Sequence, residues 1–195
     1  MSTDFQDNTA WRRTWRREMI TRREAVPAQT HADWSAAIVR HLHSTLPCPA
    51  SFAFCWPIKH EPEVRGIVDL WQAQGARAAL PVVIEPGQPL RFREWRPDSE
   101  LYADRYGIPT PVAGDWLQPE LILLPLNGFD AAGYRLGYGG GFFDRTLAAL
   151  SPRPLAVGVG FEINRLESIH PETHDQRLDW LVTEAGVFKP ADASA

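Results

Sequence analysis

The stretch Leu121-Ile122-Leu123-Leu124-Pro125-Leu126 (LILLPL, residues 121–126) is a continuous apolar run. A strand that is buried on both faces of a sheet carries apolar side chains on both sides, so this run predicts a strand inside a parallel sheet. Pro125 has no N–H group to donate to a neighbouring strand, which predicts that the strand ends early or bulges there. Other strands are predicted at residues 51–56 (SFAFCW), 78–84, 155–161 and 180–183, with an edge strand or hairpin arm at 90–95.

Helical spacing separates these runs and also precedes them. Trp11, Trp15 and Met19 recur every four residues, which predicts a first helix with Asn8 or Thr9 as its cap. One face of this helix is therefore expected to be aromatic and buried.

A second helix is expected from about Thr30, with Thr30 and Asp33 as a cap and Pro47 after its end. Residues 62–74 and 142–150 are predicted as further helices. Alternating strands and helices predict an α/β fold, a three-layer αβα arrangement with a mostly parallel central sheet, preceded by two N-terminal helices. Ligands in such folds bind at the carboxyl ends of the strands.

The bulk properties set limits on the class of protein. With 195 residues and no linker, we expect a single domain over 1–195, with flexible ends at 1–7 and 189–195. The net charge of −4 gives no basic field for nucleic acid, and no segment has the length and apolarity of a membrane span. Without an export signal the expected location is the cytoplasm, where the two cysteines stay reduced.

Residues 137–141 hold four glycines in five positions and precede the predicted helix at 142–150. Such a turn lets backbone N–H groups approach an anion, and the helix dipole adds a positive end, so the run predicts phosphate binding. A flexible turn is the alternative. A Walker A loop is excluded because Phe142 follows Gly141, and a dinucleotide fingerprint is excluded because residues 127–136 separate the loop from its strand.

Two charged residues follow the glycines directly. Asp144 in the first helical turn is a candidate ligand for Mg²⁺, although an acid there also interacts favourably with the helix dipole. Arg145 has two readings of equal weight, a phosphate clamp or an ion-pair partner of Asp144.

The segment from Leu124 to Arg145 resembles the hallmark of the 5-formyltetrahydrofolate cyclo-ligase family, which reads roughly P-x-x-x-F-D-x-x-G-x-R-L-G-x-G-x-G-[YF]-[YF]-D-R. The resemblance extends over most of the chain. The matching segments are a basic first helix (12–16, RRTWR), an acidic segment after the first strand (59–63, KHEPE), a Tyr-Gly-Ile stretch (106–111) and a His-Asp-x-x-Leu-Asp segment (174–179) before Val-Thr-Glu.

The resemblance implies an ATP-dependent ligase of one-carbon metabolism. Members of the family convert 5-formyltetrahydrofolate into 5,10-methenyltetrahydrofolate with MgATP, through a phosphorylated formyl group that N10 of the folate attacks. The expected partners are therefore small molecules, a folate and ATP, with Mg²⁺ as cofactor and a monomeric protein. Nucleic acid and membrane are not expected partners.

Site residues follow from the same resemblance. ATP is expected to contact the following residues: Arg12, Arg16, Gly137, Tyr138, Gly139, Gly140, Gly141, Phe142, Phe143, Asp144 and Arg145. Of these, Asp144 and Arg145 are the expected catalytic residues, and Asp144 with Asp175 is the expected metal-binding pair. The folate is expected to contact Trp56, Glu61, Tyr138 and Phe142, and Glu61 is expected to accept hydrogen bonds from the aminopyrimidine edge of the pterin.

This chain departs from the family pattern at three places. Arg12 replaces a lysine, Thr110 replaces a glutamate, and Phe142 and Phe143 replace tyrosines. These departures keep a second hypothesis open, a paralogue that binds a folate or a nucleotide without turnover. A third hypothesis, nucleic-acid binding through the arginine-rich first helix, is disfavoured by the net charge of −4.

Overall fold

The computed structural model describes residues 3–190, and it describes side chains from residue 8 onward. Its α-helices are α1 (Thr3–Glu24), α2 (Ala28–Thr45), α3 (Arg65–Ala73) and α4 (Phe142–Ala149), and a short 3-10 helix spans Glu162–Asn164. The main sheet contains β1 (Ser51–Ala53), β2 (Arg77–Val82), β3 (Arg91–Trp95), β6 (Trp116–Leu117), β7 (Leu121–Pro125), β10 (Leu155–Val159), β11 (Trp180–Thr183) and β12 (Gly186–Phe188). Two ribbons, β4 (Leu101–Ala103) with β5 (Pro109–Pro111) and β8 (Gly128–Phe129) with β9 (Arg135–Leu136), lie outside it.

The eight-stranded sheet has the order β12-β11-β10-β7-β1-β2-β3-β6. The five strands from β11 to β2 are parallel, β12 and β3 run antiparallel to them, and β6 pairs antiparallel with β3. The predicted mostly parallel sheet is therefore confirmed. Strand β7 lies at its centre and ends at Pro125, as the missing N–H group of proline predicts.

Helices cover both faces of the sheet. On one face α2 and α3 bury Ile38, Leu42, Ile67 and Trp71 against the strands. On the other face α4 buries Leu147 among apolar side chains of the central strands. Two separate apolar cores result, one on each side of the sheet, which is the predicted three-layer arrangement.

Helix α1 packs against the segments that leave the carboxyl ends of the central strands. It contacts β8, which follows β7, and the 3-10 helix that follows β10. A Cβ atom at Gly128 of β8 would lie 3.5 Å from Cγ of Met19, so helix and loop are in close contact here. The first helix thus closes one side of the edge at which ligands bind in such folds.

The predicted cap of the first helix is wrong. The helix begins at Thr3, so Asn8 lies inside it, and Asn8 Nδ2 donates to Glu172 Oε1 at 2.8 Å. The predicted cap of the second helix is also wrong, because α2 begins at Ala28 after Pro27. Pro27, with φ −58°, occupies the N-cap position, and no side-chain cap hydrogen bond is made there.

Other predicted boundaries were too long. The helix predicted at 62–74 begins at Arg65, and the strand predicted at 51–56 ends at Ala53. The segment predicted at 90–95 is a hairpin partner of β2, and β6 forms the sheet edge in its place. Of the ends predicted to be flexible, residues 1, 2 and 191–195 lie outside the described residues. The flexibility of the ends stays a prediction.

The two cysteines, Cys48 and Cys55, are free thiols. Among the helices between residues 3 and 190, none combines the length and apolar character that a membrane span needs.

Gly158 in β10 offers a test of the packing between sheet and loops. A Cβ atom there would lie 2.5 Å from Cδ1 of Leu178 and 2.9 Å from Cδ2 of Leu126. We expect Gly158→Ala to lower the free energy of unfolding by about 1–3 kcal/mol, because overpacking forces buried neighbours to move. Urea unfolding measures the loss. Gly66→Ala in α3, whose Cβ would meet Val39 at an ordinary 3.4 Å, is the control and should lose no stability.

Candidate active site

The glycine loop, residues 137–141, runs from β9 into α4. Gly139 and Gly141 have positive φ values of 94° and 62°, which other residues adopt only with strain, and Gly141 directly precedes the helix. The backbone conformation therefore favours glycine at these two positions. The loop leads directly into the first turn of α4. Backbone N–H groups at the start of a helix have no partner within the helix and can bind anions.

Two arginines of α1, four residues apart, lie beside this loop. Arg16 Nε donates to the carbonyl oxygen of Gly137 at 3.0 Å, and a Cβ atom at Gly139 would lie 3.4 Å from the Arg16 guanidinium. Arg12 is buried and donates to Asp175 Oδ2, and its Nη1 lies 3.9 Å from Glu172 Oε1. Burial and the positive charge of Arg12 lower the pKa of Arg16 below its ordinary value.

Asp144 faces the loop that carries Asp175. Asp144 Oδ1 accepts hydrogen bonds from Nη2 of Arg135 and from the backbone N–H of Gln176, both at 3.0 Å. Arg135 is buried in β9, and burial lowers its pKa, which the nearby charge of Asp144 opposes. The structure therefore brings the Asp144 carboxylate next to the backbone of Gln176.

The donor set of this region fits Mg²⁺. Among residues 8–190, the hydrogen bonds that Asp144 accepts fall on Oδ1 and those that Asp175 accepts fall on Oδ2, so one oxygen of each carboxylate accepts none from this part of the chain. Magnesium is commonly held by one or two carboxylates together with substrate phosphates. Within the part of the chain that the structure describes, no group of three or more His, Cys, Asp or Glu side chains forms a complete protein metal site.

Arg145 does not pair with Asp144, because Arg135 holds that position. Arg145 instead folds back over the glycine loop, where Nη2 donates to the carbonyl oxygen of Gly140. Its guanidinium lies 5.3 Å from the ring centre of Phe142, and its Nε–H has no hydrogen-bond partner between residues 8 and 190. Of the two sequence interpretations of Arg145, the ion pair with Asp144 is therefore not formed, and the phosphate clamp stays a prediction.

A second group of side chains connects the glycine loop with the turn after β1. The hydroxyl of Tyr138 donates to Glu61 Oε1, and Arg23 Nη2 donates to the Tyr138 oxygen at 3.1 Å. Glu61 Oε2 accepts from the backbone N–H of Ile58 at 3.0 Å. The ammonium group of Lys59 lies 5.4 Å from the ring centre of Tyr138. Glu61 and Tyr138, two of the predicted folate-binding residues, are thus in direct contact.

The burial of this group shifts its titration. Glu61 is 4% exposed, and burial raises its pKa, while the Tyr138 hydrogen bond and the Arg23 charge oppose that rise. Burial and the negative charge of Glu61 raise the pKa of Tyr138 above its ordinary value. A cavity of about 20 Å³, room for one water, borders Glu61 and is lined mainly by apolar side chains. Perturbed pKa values of this kind are frequent at functional sites.

The remaining predicted aromatic residues lie in different surroundings. Phe142 makes an edge contact with Tyr106 of the β4–β5 ribbon at 6.0 Å, and Phe142 and Phe143 pack partly against the apolar core under α4. Trp56 lies beside Trp95, with ring centres 6.0 Å apart, and under the guanidinium of Arg65. Trp56 therefore packs on the α3 face of the sheet.

One departure from the family pattern has a local explanation. Thr110 in β5 is buried, and its hydroxyl donates to the carbonyl oxygen of Ile108 at 3.2 Å. A short polar side chain whose hydroxyl bonds to a nearby backbone carbonyl is suited to this buried position.

Three residues in this region were missed or given no role by the sequence analysis. They are Arg23, Arg135 and Asn127, and all three are buried. Arg23 donates hydrogen bonds to Asn127 and Tyr138, and Arg135 donates one to Asp144. Arg12, Arg16 and Arg23 are separated by four and seven residues, a spacing that places them on one helical face. That spacing was the available signal for Arg23. Nothing local in the sequence distinguished Asn127 or the partner of Arg135.

The chain is similar to one known family along most of its length. The sequence profile described as the 5-formyltetrahydrofolate cyclo-ligase family matches residues 8–184. A 5-formyltetrahydrofolate cyclo-ligase of Mycolicibacterium smegmatis is 31% identical over 137 residues, which cover 65% of this chain and 70% of the relative. The Escherichia coli protein of the same name is 35% identical over 131 residues, covering 63% of this chain and 71% of the relative.

Solved structures agree with this result. The 5,10-methenyltetrahydrofolate synthetase of Aquifex aeolicus superposes with a TM-score of 0.79 at 25% identity, covering 94% of this chain and 95% of that one. A Mycoplasma pneumoniae 5,10-methenyltetrahydrofolate synthetase superposes with a TM-score of 0.74 at 22% identity, covering 89% and 98% of the two chains, and at that identity it supports the fold alone.

Removing the Tyr138 hydroxyl should change the titration of Glu61. The hydrogen bond from Tyr138 lowers the pKa of Glu61, so we expect the Glu61 pKa to rise further in Tyr138→Phe. Carbon-detected NMR of the labelled Glu61 carboxyl group, followed over pH, measures the change. The exposed Tyr102→Phe is the control and should leave the Glu61 titration unchanged.

The same shift has a consequence for stability. Folding raises the pKa of Glu61, so in the pH window between its unfolded and its native pKa the folded chain keeps a proton that the unfolded chain loses. The contribution of Glu61 to stability therefore falls as the pH rises through this window. In Tyr138→Phe this window should extend to higher pH. An unchanged or lower Glu61 pKa in that variant would contradict the assigned hydrogen bond.

Proposed function

The chain belongs to the 5-formyltetrahydrofolate cyclo-ligase family, and we propose that it converts 5-formyltetrahydrofolate and ATP into 5,10-methenyltetrahydrofolate, ADP and phosphate. The observation that carries the proposal is the contact between the glycine loop and Glu61 through Tyr138. It joins an anion-binding loop and a buried carboxylate, which are the elements that the two substrates need, at one edge of the sheet.

The reaction requires activation of a poor leaving group. The formyl oxygen of the folate attacks the γ-phosphorus of ATP, and the bond to ADP breaks. The resulting imidate phosphate is attacked at carbon by N10, which loses a proton, and the C–O bond then breaks to release phosphate. Since phosphoryl transfer needs little covalent chemistry from the protein, positioning and charge neutralisation are its main contributions.

The phosphates of ATP are proposed to bind at the glycine loop. Backbone N–H groups of Gly139, Gly140 and Gly141 supply neutral donors at the start of α4, where the helix dipole is positive. Arg16, already hydrogen-bonded to Gly137, and Arg145, with its free Nε–H, supply cationic donors. Cationic and backbone donors aimed at developing charge are the usual means of stabilising phosphoryl transfer.

Arg12 is proposed to serve the same phosphates and also to orient Asp175. Its guanidinium contacts Asp175 and lies near Glu172, so it is held in place before ATP binds. Asp144 and Asp175 would hold Mg²⁺ through their free oxygens, and the ion would neutralise phosphate charge. Arg135 fixes Asp144 through Oδ1, so Oδ2 is the oxygen that we assign to the metal.

The pterin is proposed to bind at Glu61. An ionised carboxylate accepts two N–H donors side by side, which matches the aminopyrimidine edge of the pterin. Tyr138, Phe142 and Trp56 are the proposed aromatic contacts, of which Tyr138 already touches Glu61. Because Glu61 now accepts from Tyr138, folate binding requires either a shared or an exchanged hydrogen bond at Oε1.

A non-catalytic paralogue that binds folate or a nucleotide is the second candidate. It is favoured by Phe142 and Phe143, which provide no hydroxyl groups beside the loop, and by Arg12, whose contacts are already made to acidic side chains. In either case the proposed partners are small molecules, and the protein is proposed to act as a monomer in the cytoplasm, as a single domain.

A turnover assay tests the proposal. The protein with MgATP and 5-formyltetrahydrofolate should produce the strong near-ultraviolet absorbance of the methenyl product, with one ADP formed per product. Absence of both product and ADP contradicts the proposal. Tight folate binding by calorimetry without turnover selects the non-catalytic paralogue.

Asp144→Asn tests the metal assignment. We expect turnover to fall by about 100-fold or more, because one of two anionic oxygen ligands for Mg²⁺ becomes neutral. The Mg²⁺ concentration for half-maximal activity should rise as well. Asp98→Asn, an exposed change at the other edge of the sheet, is the control. Full activity of Asp144→Asn with an unchanged Mg²⁺ requirement would show that the assignment is wrong.

A further inference from the structure

We propose that Arg23 is a positioning residue that fixes the glycine loop against the Glu61 turn, so that the ATP and folate subsites are assembled by one buried guanidinium. The inference rests on the proposed function for the identity of the two subsites. The fixing itself is a property of the fold and is tested separately.

Arg23 is completely buried, whereas the arginines at 13, 17 and 22 of the same helix are exposed. Placing a guanidinium in the interior is costly unless its donors are satisfied and its charge is compensated. Arg23 meets both conditions. Its hydrogen-bond partners are Lys59 O (2.8 Å), Leu126 O (3.3 Å), Asn127 Oδ1 (3.1 Å) and the Tyr138 oxygen (3.1 Å).

These acceptors belong to three separate segments of the chain. Lys59 is in the turn after β1, Leu126 and Asn127 follow β7, and Tyr138 is in the glycine loop. Besides Arg23, the first and third segments are connected by the Tyr138–Glu61 hydrogen bond and by the Lys59 ammonium group over the Tyr138 ring. A planar group with five N–H donors can satisfy such divergent acceptors, whereas the single ammonium of lysine cannot reach them all.

The turn that Arg23 supports has a conformation that requires support. Lys59 and His60 have φ values of 47° and 57°, which are unfavourable for residues with a side chain. Arg23 holds this turn from both directions, since its Nε donates to the Lys59 carbonyl and its own carbonyl lies 3.3 Å from His60 Nδ1. Glu61 follows directly, so its position depends on that of the turn.

The charges are arranged for the same role. Arg23 Nη2 lies 3.9 Å from Glu61 Oε1, and both side chains are almost completely buried. The Tyr138 hydroxyl lies between them, accepting from Arg23 and donating to Glu61. Because donor, hydroxyl and carboxylate form one chain, movement of either the loop or the turn breaks a charge-assisted hydrogen bond.

Four variants separate positioning from general stability. Arg23→Lys keeps the charge and removes the fork, Arg23→Met removes both, and Tyr138→Phe removes only the hydroxyl while leaving Arg23 in place. Arg22→Met is the matched control on the next residue, where the arginine is exposed and pairs with Glu18 within the helix.

Hydrogen exchange tests the fixing without reference to turnover. In Arg23→Lys we expect faster exchange in residues 58–61 and in residues 137–141 together, with unchanged exchange in the distant strands β2 and β3. Tyr138→Phe should speed up exchange in the same two segments by a smaller factor, and Arg22→Met should leave exchange in both segments unchanged. Faster exchange across the whole chain, or in only one of the two segments in both variants, overturns the proposal.

Binding measurements test the link to the two subsites. The Kd of 5-formyltetrahydrofolate measured without ATP, and the Kd of ADP with Mg²⁺, should each rise about tenfold in Arg23→Lys, the loss of one charge-assisted hydrogen bond. Adding Tyr138→Phe to Arg23→Lys should weaken folate binding by less than it does in the unaltered protein. Fully additive effects, or a rise for only one ligand, contradict positioning of both subsites by Arg23.

The two proposals fail in distinguishable ways. If the unaltered protein shows no turnover, the proposed function fails, while the exchange experiment still decides whether Arg23 fixes the loop and the turn. If turnover is present but exchange in the two segments is independent of Arg23, only the positioning role is lost.

Discussion

The contact between α1 and the carboxyl ends of the parallel strands is the interaction on which the site depends. Five parallel strands end at one edge, and the segments that leave them carry Glu61, the glycine loop and Asp175. These segments have little regular structure of their own. Arginine side chains of α1 supply much of what connects them, through Arg12 to Asp175, Arg16 to Gly137 and Arg23 to the loop and the turn. The helix is thus part of the candidate site, since each of these three arginines contacts a residue that is far away in the sequence.

Much of the fold was accessible from the sequence because it depends on local patterns. The apolar run at 121–126 predicted the central strand, and Pro125 predicted its end. Helical spacing located all four helices, although three of their starts were misplaced, and α2 begins at Ala28 after Pro27 without a side-chain cap. The short ribbons β4–β5 and β8–β9 were not predicted, because strands of two or three residues are too short to show periodicity.

The candidate site was predictable only in part, for a different physical reason. The glycines and their flanking charges are contiguous, so the loop and its resemblance to a family could be recognised. Which charge pairs with which depends on the fold, however. Asp144 pairs with Arg135, not with the adjacent Arg145, and Arg23 is buried although the neighbouring Arg22 is exposed. Partners brought together by strand order leave no signal in the local sequence.

We propose that the site phosphorylates the formyl oxygen of a folate, and an oxygen isotope tests this step. In a single turnover with MgATP and 5-formyltetrahydrofolate carrying ¹⁸O in the formyl group, that oxygen should leave with the phosphoryl group. We expect inorganic phosphate that contains one ¹⁸O atom per methenyl product, measured by mass spectrometry. Unlabelled phosphate formed together with labelled water would contradict it, because the formyl oxygen would then have left without being phosphorylated.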